Sequence, residues 1–399
     1  MNAGLPSTSP TTSALRWHGT ALFNLGFRPF FLLAALLAAL GVPLWSAEYF
    51  GLLPAAGYAS GVLWHAHEMV FGFAVAVITG FLFTAARNWT GLPTPTHGML
   101  AALAAVWLAG RVLMVSGPGW LAAAVDVAFL PAVALALWLP LQRSRNRNRF
   151  FVALLLVLAA ANLAFHLARI GTIPISPLVP VRFALYLVVM IVTIMAGRVI
   201  PSFTQNAIPG ARIRRSRMLD LAAIWATALA LSSVLADGPA VIVAPLCLAA
   251  AGLQAARLWM WDPWCTRHRP ILWILHVSYA WIPAGLSLMG LAVFTAAVPA
   301  MLADHALSVG AVGGMILGMI TRTARGHTAR PLRASRPEVA AYALVHLAAG
   351  MRVIAPLAWP AGYGWAIAAS SALWSAAFVA YLLVYAPILS RPRLDGKPG

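Results

Sequence analysis

The chain has 399 residues, of which 62% are hydrophobic and 9% are charged. A water-soluble domain usually carries about 25% charged residues, so this composition excludes a sizeable soluble domain. The 27 lysines and arginines give a formal net charge of +18. They lie mostly in short loops and form no basic stripe with interleaved aromatics, so nucleic acid is not expected as a partner.

The first 20 residues are polar and rich in serine, threonine and proline, which predicts a disordered cytoplasmic tail at 1–20. Apolar runs of about 20 residues then follow one another, and each is long enough to cross a bilayer as a helix. We therefore predict a single transmembrane domain over 21–390 and a short cytoplasmic tail over 391–399. The expected spans are 28–50, 62–86, 97–116, 119–141, 150–172, 178–203, 218–237, 239–260, 269–295, 299–322, 337–357 and 363–388.

Clusters of arginine follow the even-numbered spans, whereas the other loops are short and nearly uncharged. Because cytoplasmic loops carry the excess of basic residues, this alternation predicts that both chain ends lie in the cytoplasm. The expected fold is an all-α polytopic membrane helix bundle of about 12 helices, with the lipid bilayer as its surroundings. The basic clusters fall within 143–149, 212–217, 257–269, 322–336 and 391–397.

Ionisable residues inside the spans are costly in lipid and are therefore candidates for function. In the predicted topology, ionisable residues from five different spans lie in the outer third of the membrane. Since they come from separate parts of the sequence, their shared depth indicates a site. They are His65, His67 and Glu68 on span two, His166 and Arg169 on span five, Arg182 on span six, Asp304 and His305 on span ten, and Arg352 on span eleven.

Four histidines at one depth favour a redox metal, because imidazole ligates haem iron and copper. The two cysteines have no motif spacing that would suggest thiolate ligands. A single membrane histidine is more often a hydrogen-bonded packing residue, and we interpret His97 and His346 in that way. Successive helical residues turn by about 100°, so His65 and His67 point about 160° apart. Span two would then lie between two metal centres; the alternative is that only one of these histidines is a ligand.

His166 and Arg169 are three residues apart and share a helix face. A histidine ligand beside an outward arginine suits a haem whose propionates point to the outer surface, and Arg182 and Arg352 are candidates for the same role. The alternative for each arginine is snorkelling to the membrane interface.

Span nine and span ten carry two further patterns. His276 and Tyr279 share a face of span nine, so they are candidates for a metal centre or a proton path, unless they simply hydrogen-bond to each other. On span ten, Gly310, Gly314 and Gly318 form a stripe at every fourth residue. Such a stripe favours close helix packing, and the alternative is that it makes room for a flat macrocycle.

Several short segments are distinctive when taken together, and they resemble the NnrS family of bacterial inner-membrane proteins. The resemblance runs from about residue 20 to 390, with the segments in the family's order and spacing. One departure is Ala329, where the family usually has glycine after Gly-His-Thr, and we expect it to change only the loop. The segments are Gly26-Phe27-Arg28-Pro29-Phe30-Phe31, Trp64-His65-Ala66-His67-Glu68-Met69, Asn88-Trp89-Thr90-Gly91, Gly197-Arg198-Val199-Ile200-Pro201-Ser202-Phe203-Thr204 and Gly326-His327-Thr328.

The resemblance implies a twelve-span protein that contains haem and copper and takes part in nitric oxide metabolism and the relief of nitrosative stress. As a nitric oxide reductase-like oxidoreductase it would use an electron donor, and its protons would come from Glu68, from Tyr279 or along a water path. A non-catalytic carrier or sensor of haem, copper or a metal nitrosyl is the main alternative. A secondary transporter is a further alternative, although the sequence shows neither the internal repeat nor the broken midplane helices of that class.

Overall fold

The computed structural model describes residues 21–55 and 57–397, and the tail predicted at 1–20 lies outside these residues. Within the described ranges helices are the only regular secondary structure and no strand is present. Twelve helices are long and apolar enough to cross a membrane, which confirms the all-α prediction. These helices are α1 (Phe27–Tyr49), α2 (Gly61–Thr90), α3 (His97–Ser116), α4 (Gly119–Arg143), α5 (Arg147–Arg169), α6 (Leu178–Ala207), α7 (Arg217–Leu235), α8 (Ala240–Trp259), α9 (Pro270–Ala292), α10 (Ala300–His327), α11 (Arg336–Ala358) and α12 (Pro360–Leu389).

Helices that follow one another in the chain pack side by side, and α1 packs against α12 and α2. Short connections cause this order, because a short loop leaves the next helix antiparallel and adjacent. The basic loops that follow even-numbered helices therefore lie at one end of the bundle, called here the arginine-rich end. The opposite end, where α1 leads into α2, is called the arginine-poor end.

The two most enclosed helices are α2 and α10, with 78% and 67% of their apolar windows buried, compared with 22% for α7. Each contains a π-helical segment, Glu68–Ala74 in α2 and Ala306–Gly313 in α10. The first segment begins directly after His67 and the second directly after His305. A π-helical turn inside an α-helix often marks a functional position, and here both turns lie beside candidate histidines.

The glycine stripe of α10 lies against α9. A Cβ atom at Gly310 would collide with the ring of Trp281, one at Gly314 would meet Ser278 of α9 and His346 of α11, and one at Gly318 would meet Leu275. The stripe thus allows α9 to approach α10 closely, which favours the packing interpretation.

Candidate functional site

The candidate histidines form two pairs on opposite sides of α2. His65 lies at a cavity together with His305 of α10. His67 points to the other side, where it meets α4 and α5, and its ring centre is 5.6 Å from that of His166. The divergence of His65 and His67 expected from helical geometry is therefore present in the structure.

The cavity beside His65 and His305, called here the histidine cavity, lies at the arginine-poor end between α1, α2, α6, α10, α11 and α12. The volume open to the centre of a water molecule is about 240 Å³. Its wall is mainly apolar, and its charged members are Arg182, Asp304 and Arg352. A concave apolar site with a few convergent polar groups is the usual form of a cofactor or ligand pocket.

The two cavity histidines have free ligand atoms. His305 Nδ1 lies 2.7 Å from the carbonyl oxygen of Met301, so Nδ1 carries the proton and the Nε2 lone pair remains available. The ring of His65 stacks on Trp45 at a centroid distance of 4.2 Å, and its Nδ1 is buried without a hydrogen-bond partner. Since most buried polar atoms have a partner, this unpaired nitrogen indicates a site for a ligand.

The arginines of the cavity differ in their pairing. Arg182 lies 3.1 Å from Asp304, whose other oxygen accepts a hydrogen bond from Tyr186 at 3.0 Å. Arg352 is only 5% exposed and donates to the hydroxyl of Tyr363 at 3.3 Å, but it forms no ion pair with any carboxylate in the described part of the chain. A buried cation without a counter-ion is costly, so Arg352 favours an anionic group inside the cavity.

The second pair belongs to a network called here the buried polar cluster, which consists of His67, Glu68, Arg111, Asp126, Asn162 and His166. Asp126 Oδ2 lies 3.2 Å from His67 Nε2 and 3.1 Å from His166 Nε2. Arg111 contacts Glu68 at 3.0 Å and also pairs with the other oxygen of Asp126.

Both ring nitrogens of His67 face side-chain oxygens. His67 Nδ1 lies 3.0 Å from Glu68 Oε1, and its Nε2 lies 2.9 Å from Asn162 Oδ1. His67 and Arg111 together contact the carboxylates of Glu68 and Asp126.

Tyr58 and Arg169 extend the cluster towards the arginine-poor end. Burial raises the pKa of the Tyr58 phenol, and the charge of Arg169 opposes this shift. The phenol therefore remains protonated at neutral pH and can donate to His166 Nδ1, which is 3.4 Å away. Arg169 lies over the Tyr58 ring, 5.6 Å from its centre, and is not among the residues that line the histidine cavity.

Both sites fit the groups that the resemblance implies. Ligand atoms of His67, Asp126 and His166 all lie within 4.8 Å of one another, and two imidazoles with a carboxylate are ligands suited to copper, zinc or iron. The histidine cavity combines two histidines, an apolar wall and an arginine without a counter-ion, which are the requirements of a haem with its propionates.

The sequence profile of the NnrS protein family matches residues 21–393, nearly the whole chain. This chain belongs to the NnrS family. Membership links it to nitric oxide metabolism and is consistent with metal or haem binding. No curated protein matches the sequence.

Other predicted residues of this NnrS-family chain lie outside both sites. His276 Nδ1 is 3.1 Å from the carbonyl oxygen of Leu272, whereas the Tyr279 hydroxyl bonds to Arg257 at 2.9 Å and to Gln254. These two residues have separate partners, so the structure does not contain the mutual His–Tyr hydrogen bond. His346 contacts Ser278 and Trp281, as the packing interpretation of that histidine predicts.

The sequence analysis did not predict three members of the polar cluster as site residues. Arg111, Asp126 and Asn162 lie on α3, α4 and α5, and all are buried. The first two are ionisable residues inside apolar runs, so the rule that selected His67 also applies to them. Asn162 has no such signal, because an uncharged amide is common in membrane helices.

Proposed function

We propose that this NnrS-family protein binds haem and copper in the bacterial inner membrane and binds or reduces nitric oxide, thereby relieving nitrosative stress. The observation that carries the proposal is the pair of histidine sites on opposite faces of α2, one in the apolar histidine cavity and one in the buried polar cluster. Two adjacent sites of different chemistry suit two different redox groups.

In this proposal the histidine cavity holds the haem. His305 is the main ligand, because its Nδ1–H is fixed by the Met301 carbonyl and its Nε2 is free. His65 would be a second residue that holds the iron, or would line the space in which nitric oxide binds. Arg352 and Arg182 pair with the propionates. The haem supplies a redox-active iron that binds nitric oxide.

Copper belongs to the buried polar cluster, with His67, His166 and Asp126 as ligands. Glu68 accepts from His67 Nδ1 and Arg111 bonds Glu68 and Asp126, so these residues orient the ligands. Arg169 acts through Tyr58 on the orientation of His166 rather than on a propionate. His276 becomes the next candidate ligand if the variants of His65, His67, His166 and His305 all keep the native spectrum and metal content.

Reduction of two nitric oxide molecules to nitrous oxide and water consumes two electrons and two protons, so an enzymatic role also requires an electron donor. Glu68 is the best placed residue to accept and pass on a proton, because its carboxylate adjoins His67 directly. Tyr279 is the weaker candidate, since its hydroxyl is bound by Arg257 and Gln254 of α8, a helix that contributes to neither site.

The test is the absorption spectrum and metal content of the purified protein and its histidine variants. His305→Ala should remove or grossly change the Soret band, and His65→Ala should change it, because each alters the haem's surroundings. His67→Ala and His166→Ala should keep the haem spectrum and lose copper. His268→Ala, which changes an exposed loop histidine, is the matched control and should keep both.

The same samples separate the alternatives. Addition of nitric oxide to the reduced protein should shift the Soret band, and consumption of nitric oxide with a chemical reductant would distinguish an enzyme from a carrier or sensor. Native protein with neither a Soret band nor copper would overturn the proposal and favour the secondary-transporter alternative. Four histidine variants with unchanged spectra and metal content would show that these residues are packing groups.

A further inference from the structure

An apolar seam continues the histidine cavity towards the arginine-rich end. On α10 the cavity wall ends at Val312, and the next residues on that face, Met315 and Met319, line a second cavity that reaches Thr323. The spacing of three or four residues keeps this row on one helix face. The second cavity therefore lies one helical turn closer to the arginine-rich end than the histidine cavity.

The same continuation occurs on two further helices, α2 and α6, that line both cavities. On α2 the row passes from Ala74 in the histidine cavity to Val77 in the second cavity. On α6 it passes from Val188 to Ile191. Because the rows on α2, α6 and α10 pass from one cavity to the other within one helical turn, the two cavities lie end to end along one seam between these helices.

The chemistry of the lower seam restricts its occupant. Among the residues that line the lower seam, Thr323 is the one polar residue, and it lies at the arginine-rich end. The volume that the centre of a water molecule can reach there is about 130 Å³. A polar or charged molecule would lose its hydrogen bonds to water there without replacement. Small apolar cavities stay dry and bind small apolar guests such as xenon. Val192 and Met195 are partly exposed on the outside of α6, so the seam also opens sideways towards lipid.

We propose that this seam is the path by which a small uncharged gas passes from the bilayer to the histidine cavity. The proposal rests on the proposed function, which makes nitric oxide the gas. Nitric oxide is small and nearly apolar, so it concentrates in lipid and needs no polar partner on the way. An acyl chain of a lipid is the competing occupant of such a seam.

The first measurement uses the wild-type protein in a lipid environment and does not depend on haem. Crystals pressurised with xenon should show a xenon peak in the seam between α2, α6 and α10. Density for an acyl chain filling the seam, or no xenon there, would overturn the proposal. If the protein proves to lack haem, this measurement still decides whether the seam accepts a gas, so the two failures are distinguishable.

The second measurement uses haem-loaded protein and carbon monoxide as a probe that light can release. Val192→Phe narrows the seam, whereas Val241→Phe makes the same change at a residue that is 76% exposed on α8. A blocked path slows entry and exit equally, so in Val192→Phe both rate constants should fall together, by about tenfold, with the equilibrium affinity unchanged. Val241→Phe should leave both rates as they are. Unchanged rates in Val192→Phe, or a changed affinity with an unchanged entry rate, would overturn the path.

Discussion

Arg111 shows how one residue can hold a polar site together inside an apolar bundle. Its guanidinium contacts Glu68 of α2 and Asp126 of α4, and it is only 8% exposed. Removal of one partner from a buried ion pair leaves a charge that neither protein nor water compensates. Arg111 therefore keeps both carboxylates charged and aimed at the histidines.

Replacement of this arginine should be costly. Arg111→Leu should lower the free energy of unfolding by about 3–5 kcal/mol, because Glu68 and Asp126 lose their common counter-ion. Arg149→Leu, at an exposed arginine that bonds only Gln142, should change it by less than about 0.5 kcal/mol. Thermal unfolding of metal-free protein measures both.

A multiple variant checks the cause. Adding Glu68→Gln and Asp126→Asn to Arg111→Leu removes the unpaired charges, so part of the lost stability should return. If the added changes only destabilise the protein further, Arg111 acts by packing and the electrostatic explanation is wrong.

The direction of a side chain could be predicted from the sequence where helical geometry alone determines it. His65 and His67 are two positions apart on a helix, so their side chains are expected to point in different directions. In the structure His65 faces the histidine cavity and His67 faces the buried polar cluster. The pairing of His65 with His305, and of His67 with His166, depends on which helices are neighbours. A single sequence carries no information on that, so the partners of each histidine could not be predicted.

At the scale of helices, the sequence predicted number and position well because long apolar runs are a strong signal. The ends were less certain: α10 continues to His327, past the end expected at 322, because its last turn is polar and lies beyond the apolar run. The π-helical segments in α2 and α10 were not predictable, since they depend on tertiary packing rather than on any residue pattern.

The motif glycine Gly197 has a packing role that can be tested. A Cβ atom there would collide with the guanidinium of Arg257, which is 3% exposed and bonds Asp220 at 2.6 Å. Gly197→Ala should therefore displace the buried Arg257 from its ion pair with the partly exposed Asp220 and cost about 1–3 kcal/mol of stability.

Gly252→Ala on α8 is the matched control, because a Cβ atom there meets nothing within 4 Å. Alanine is the better helix former, so this change should be neutral or stabilise the protein by up to about 1 kcal/mol. Thermal unfolding compares the two variants. Equal effects would mean that Gly197 is not needed for the approach of Arg257.

For the whole molecule, composition and charge decided the fold class, since a chain with so few charges and so many apolar runs has no soluble alternative. The order of helices around the bundle was only partly predictable. Sequential neighbours follow from short loops, but the central position of α2 and α10 and the contact of α1 with α12 arise from tertiary packing. The site depends on that central position, because its residues come from helices that are distant in sequence.

The orientation of the bundle is the last prediction. Reporter fusions in the loops near Arg145, Arg215 and Arg330 should report the cytoplasm, because arginine-rich loops are retained there, and fusions near Asp237 and Pro360 should report the periplasm. A periplasmic signal at Arg215 would contradict the predicted topology. The histidine cavity lies at the arginine-poor end, so the predicted orientation places Arg182 and Arg352 near the periplasmic surface. The opposite orientation would direct the propionates of a bound haem towards the cytoplasm, and electron donors would then have to reach it from that side.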